Sequence, residues 1–106
     1  MARLDVHPMP GDAREDEVRD GYVVDMQAGL LSHLATRTVL PLLLERTAPK
    51  PISELNPVFD IDGERYVLVT QAIASVPGRE LQRPVGSLAK HHDSITRALD
   101  ILLVGF

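Results

Sequence analysis

Four groups of residues have types and spacing suited to chemistry. Asp60-Ile61-Asp62-Gly63-Glu64 places three carboxylates within five positions, the oxygen-rich composition that calcium favours. An EF-hand loop needs a further oxygen ligand before its glycine and a glutamate six residues after it. Here Ile61 precedes Asp62 and Val69 stands six after Gly63, so no metal site is expected. His91 and His92 are adjacent, and neighbours on a helix point about 100° apart rather than sharing a face as an i, i+4 zinc pair does. His33, Arg37 and Asp25 are the base, cation and acid that a ribonuclease can use without a strong motif. The fourth group is Val104-Gly105-Phe106, an apolar chain end. Its chemistry is contact rather than catalysis: it folds into a core, buries between subunits, or is offered to a partner.

The rest of the chain narrows these choices. It has 106 residues, 44% of them apolar and 25% charged, which predicts one soluble domain spanning 1–106. A core of this size is modest, so a dimer is expected. A net charge of −4 argues against a protein whose main task is gripping nucleic acid. There is no cysteine, which removes disulfides, thiolate zinc sites and cysteine nucleophiles. No Gly-x-Ser-x-Gly and no glycine-rich phosphate loop is present. The amino end lacks the apolar core of a signal peptide, and no apolar run approaches the roughly 18 residues of a membrane span. A cytoplasmic location without cofactor, metal or membrane partner is the expectation.

Alternation and turn residues supply the elements. Ala2 to Val6 predicts a short first strand. Residues 7–20, with His7-Pro8-Met9-Pro10-Gly11 followed by a run of mixed charge, read as a mobile loop. Gly21 to Gln27 predicts a strand with Tyr22, Val24 and Met26 on one face and Val23, Asp25 and Gln27 on the other. Thr36 to Leu44 predicts another, with Leu40, Leu42 and Leu44 on one face. Pro41 donates no ladder hydrogen bond, which implies an edge strand or a bulge there. Asp62-Gly63 predicts a two-residue hairpin turn pairing Ile61 with Glu64, Asp60 with Arg65, Phe59 with Tyr66 and Val58 with Val67. Ala72 to Val76 is apolar and ends at the Pro77-Gly78 turn. Ser87 suits an N-cap, and Ile95, Ala98, Leu99, Leu102 and Leu103 follow helical spacing up to a glycine C-cap at Gly105. The fold class is mainly β with a C-terminal helix: an SH3-like curled antiparallel sheet or small barrel of about five strands.

In order and spacing, several blocks resemble the CcdB toxins of bacterial toxin–antitoxin pairs. They are Val24-Asp25-Met26-Gln27, Val39-Leu40-Pro41-Leu42, Ser53-Glu54-Leu55 with Pro57-Val58, Ile61 with Glu64, Ala74-Ser75-Val76-Pro77, and the end from Ile95 to Phe106. The likeness runs from Gly21 to the last residue. It implies a homodimeric, non-enzymatic toxin that binds the DNA gyrase A subunit and traps the gyrase–DNA cleavage complex. It also implies neutralisation by a CcdA-like antitoxin that folds on contact. The family's closing Trp-Gly-Ile falls on Val104, Gly105 and Phe106, and a family Asn falls on Asp100, so these four residues are the expected gyrase contacts. Two alternatives accompany this reading. One is a ribonuclease like the MazF and Kid toxins. The other is a degenerate CcdB homologue that binds antitoxin without poisoning gyrase, motivated by Val104 and Asp100.

Overall fold

The computed structural model describes residues 3–10 and 21–105. Met1, Ala2 of the expected first strand, residues 11–20 of the expected loop, and Phe106 lie outside them. The strands are β1 (Asp5–Pro8), β2 (Gly21–Asp25), β3 (Thr36–Leu44), β4 (Val58–Ile61), β5 (Glu64–Leu68), β6 (Ala74–Pro77) and β7 (Gly86–Ser87), followed by the helix α1 (His92–Val104). The sheet is antiparallel in the order β4-β5-β3-β2-β1-β7, with β6 also paired to β3. It curls into a half-barrel capped by the single helix, as the patterning predicts.

The β4–β5 hairpin has the expected register in all four pairs. Asp62 and Gly63 have φ of 51° and 83°, the positive pair that a tight hairpin turn requires. Side chains choose other partners than the register suggests. Arg65 Nε donates to Glu45, at 3.1 Å to Oε1, rather than pairing with Asp60. Tyr66 meets Tyr22 edge-on at 5.3 Å and Phe59 meets His91 at 4.6 Å. The curl brings the inner aromatic side chains onto other strands and the helix approach.

The amino end departs from expectation. His7 and Pro8 continue β1 instead of opening a loop, and His7 is fully buried. Its Nδ1 lies 2.7 Å from the Gln82 carbonyl. A carbonyl only accepts, so Nδ1 carries the proton and pins the extended 81–85 stretch onto the sheet.

Pro41 also needs a correction, because β3 is the centre of the sheet rather than an edge. On one side it pairs with β2 from Val39 to Leu43, without a break at Pro41. On the other, β6 pairs as far as Val39 and β5 begins at Leu42. Met26 N–H donates to the Thr38 carbonyl, so hydrogen-bonded pairs fall at even positions of β3 and the Pro41 nitrogen faces away from β2. It faces the gap between β6 and β5, where no donor is required, while its carbonyl accepts from Val69 N–H at 2.9 Å.

The inner face carries the core: Val6, Val24, Leu40, Leu42, Leu68 and Ile95 are buried together with Phe59 and Tyr66. Each fully buried aliphatic side chain of this kind contributes about 1.5–3 kcal/mol. The opposite face of β2 and β3 is buried as well, including Val23, Asp25, Arg37 and Val39.

Candidate functional site

The carboxyl end is built by a helix that is only partly covered. Ser87 Oγ accepts from Ala89 N–H at 3.1 Å just ahead of the single turn at Ala89–His91 that leads into α1. Ser87 does not take the expected N-cap position: Leu88 precedes that turn and His91 precedes α1, neither with a side-chain cap. Ile95 and Ala98 are buried against the sheet, and Leu99 packs on the core. Arg97 Nε donates to Glu54 Oε2 at 2.7 Å, tying the exposed side of the helix to the Ser53–Leu55 turn. That hydrogen bond, then the charge of Glu54, holds the guanidinium more firmly protonated. One turn later the cover ends. Leu103, expected in the packing face, is 72% exposed, and Val104 is 61% exposed.

Gly105 stops the helix in a left-handed conformation, φ 97°, with its N–H shared between the Asp100 and Ile101 carbonyls at 3.2 and 3.0 Å. The expected C-cap is therefore in place. Its physical reason is the absent Cβ, since side chains rarely adopt this φ. Asp100 is exposed one turn before Val104. Three of the four sequence-predicted contacts thus share one solvent-facing helix end.

A second apolar surface was not singled out from the sequence. The turn at Gly29–Leu31 and the residues after it present Leu30 at 87% exposure, with Leu31 and Leu34 also exposed. The loop is anchored despite this. Gln27 Nε2 donates to the Leu31 carbonyl at 2.8 Å, and Gln27 Oε1 accepts from Thr38 N–H at 3.1 Å. One buried amide therefore joins β2, the loop and β3. Three leucines among polar residues in a segment lacking alternation were the available signal.

The acid, cation and base of the ribonuclease alternative do not assemble. Arg37 Nη2 and Nε donate to Asp25 Oδ2 at 2.6 and 3.2 Å, and Asp25 Oδ1 accepts from Gln27 N–H at 3.0 Å. Both side chains are buried, while His33 is exposed in the loop. The charges of Asp25 and Arg37 are committed to each other and shielded from a substrate. Arg37 Nη1 makes no hydrogen bond among the described residues. The other histidines are dispersed: His91 stacks on Phe59, and His92 Nδ1 lies 3.4 Å from Asp93. Among the described residues no three His, Asp or Glu side chains gather as metal ligands. None of the described helices is long and apolar enough to cross a membrane.

This arrangement of a curled sheet and an exposed apolar helix end agrees with the family comparison. The model of the CcdB protein family matches residues 3–105. The chain belongs to the CcdB family. It is accordingly a toxin of the toxin–antitoxin kind, with an antitoxin as the partner class. Two solved structures share the fold of this CcdB-family chain. The Mycobacterium tuberculosis toxin MazF-mt6 is similar with a TM-score of 0.71 at 17% identity, covering 92% of this chain and 94% of that one. A structure described as that of an Mtb toxin is similar with a TM-score of 0.66 at 18% identity, covering 78% of this chain and 92% of the other. At such identities the likeness concerns the fold. The family match begins at residue 3, ahead of the Gly21 from which the sequence blocks were recognisable.

Proposed function

We propose that this CcdB-family protein acts in the cytoplasm as a homodimeric toxin without catalytic activity of its own. Its contact with the DNA gyrase A subunit is made through the end of α1, and an antitoxin relieves it. The observation that carries this reading is the exposure of Leu103 and Val104 at the end of a helix whose earlier turns bury Ile95 and Ala98. Apolar side chains held in water by a capped helix favour a protein surface over a substrate. Gly105 fixes the direction of the chain as it leaves the helix, and Asp100 adds a carboxylate to the rim. Val104 offers less area than an aromatic anchor, and loss of such an anchor commonly costs about 2 kcal/mol or more, so the expected affinity is modest.

Purified gyrase incubated with supercoiled plasmid tests the reading. Linear DNA accumulating with toxin concentration supports it. Absence of both a cleavage complex and measurable binding to the A subunit rejects it. The ribonuclease reading is supported by the fold shared with MazF-mt6, against the burial of Arg37 and Asp25. Incubation with RNA, with His33→Ala as control, separates the two. Antitoxin binding without gyrase poisoning would identify the degenerate alternative.

A further inference from the structure

Among the described residues β4 and β7 stand at the two ends of the main strand order, each paired on one side only. They flank a groove of about 430 Å³. Asp60 and Asp62 lie along one wall and Val85 and Gly86 along the other, with Val6, Tyr22 and Leu88 beneath.

The β4 wall has unused backbone groups. A two-residue turn makes Ile61 and Glu64 a hydrogen-bonded pair, so Phe59 with Tyr66 is the next and Asp60 with Arg65 falls between. Two contacts support this phase: Leu68 N–H donates to the Pro57 carbonyl, and the Arg65 carbonyl accepts from Glu45 N–H on the side away from β4. The N–H and C=O of Asp60 therefore point away from β5, into the groove. The carboxylates of Asp60 and Asp62 form no ion pair with a described residue, since Arg65 is taken by Glu45 and Arg46 by Glu64.

Side-chain alternation specifies an occupant. Phe59 and Ile61 face the core, and Asp60 faces outward with Arg65. A strand laid beside β4 continues both faces. Its inward side chains would rest over Val6, Tyr22 and Leu88, and its outward ones beside Asp60 and Asp62. Lys90, on the helix wall of the groove, disfavours a basic side chain on that side.

We propose that the groove between β4 and β7 receives an extended segment of a partner protein by strand addition to β4, with alternating apolar and basic residues. This does not rest on the gyrase reading, because it involves neither α1's end nor its partner. The competing explanation is that two aspartates simply guard a sheet edge against unwanted pairing.

The test is amide NMR of the intact protein with a synthetic peptide of about eight residues, a normal strand length, alternating Val and Arg. A Val/Glu peptide and a Val/Arg peptide with Pro at the positions donating to β4 are the comparisons. The expected result is saturable shifts centred on Val58–Ile61, with a Kd below about 1 mM and binding at least about tenfold weaker for either comparison peptide. Asp60→Lys with Asp62→Asn, which keeps a residue tolerant of positive φ in the turn, should weaken the Val/Arg peptide by about tenfold or more while the rest of the spectrum stays in place. No shift at β4 at millimolar peptide overturns the proposal in favour of a guarded edge. Equal binding of the Pro peptide also overturns it, because attachment would then be electrostatic and not by strand addition.

Discussion

Arg37 reaches diagonally across β2 and β3 to place Nη2 2.6 Å from Asp25 Oδ2, with both side chains shut off from solvent. Asp25 and Val39 are cross-strand partners and Arg37 is two residues from Val39 on the same face, so the register itself brings the charges together. The pair is connected onward through Gln27 to the leucine-bearing loop. Strand pairing, a buried ion pair and a surface loop are therefore mechanically linked.

Removing one member of this pair is expected to be costly. Arg37→Met leaves the Asp25 carboxylate buried without its cation, and such a change typically costs about 3–5 kcal/mol. Asp25→Asn combined with Arg37→Met should recover part of that loss, since no unpaired charge remains. Urea unfolding at neutral pH of the two variants and the parent measures both quantities. A loss under about 1 kcal/mol for Arg37→Met would place the pair among weak surface ion pairs.

Tyr66 gives a prediction in alkaline solution. Burial, and then the neighbouring Tyr22, raises the Tyr66 phenol above its ordinary value of 10.0. The folded chain thus holds this proton to higher pH than the unfolded chain does. Its contribution to stability is complete below about pH 10 and is lost as pH rises through the folded value. Spectrophotometric titration should show a delayed tyrosinate step belonging to Tyr66. Tyr66→Phe should remove the delayed step. It should also flatten the decline in melting temperature above about pH 10; an unchanged decline would assign it to other groups.

Legibility from sequence follows from how local the cause is. The Asp62-Gly63 hairpin, the Gly105 cap and β3's inner face rest on short-range rules and match the structure. Pro41 escapes such rules because its permitted position depends on where two other strands start and stop. His7 escapes them because the pairing of β1 with Val23 and the Gln82 contact lie far away in sequence. Asp25 and Gln27 read as a mixed strand face, which fits a solvated or a buried polar network equally. Only the diagonal position of Arg37 separates those cases. At the candidate site, helical spacing places Leu103 with the buried residues, but the cover beneath α1 stops before that turn.

Gly105→Ala should weaken the end of α1 without affecting the sheet. The glycine holds φ 97°, and a side chain in left-handed backbone costs roughly 1–2 kcal/mol. The helix can lower that cost by unwinding its last turn. Helical circular dichroism should fall slightly, and amide exchange should quicken only at Leu103, Val104 and the substituted position itself. If gyrase is the partner, binding should weaken as well, since the chain would leave the helix in another direction.

Val104→Trp places at this position the aromatic anchor that the resemblance to the CcdB toxins implies there, and it tests the proposed gyrase contact. The side chain is exposed, so the change should leave the melting temperature nearly unaltered. A gain of about 1.4–2 kcal/mol, tenfold or more in affinity for the gyrase A subunit, is the expected result. Isothermal titration against the A subunit measures it. An unchanged affinity would remove Val104 from the contact surface.

The placement of Pro41 between two neighbouring strands has a kinetic meaning. One side of β3 is held by β6 before Pro41 and by β5 after it, so the sheet forks there and on that side no single ladder runs past the proline. Opening of β6 then has no obligatory effect on β5. Native-state hydrogen exchange should sort the amides of β3 that face away from β2 into two classes, with Arg37 and Val39, which face β6, released in smaller fluctuations than Leu43, which faces β5. The proline works as a firebreak, confining local unfolding to the β6 side while the hairpin side keeps the fold intact.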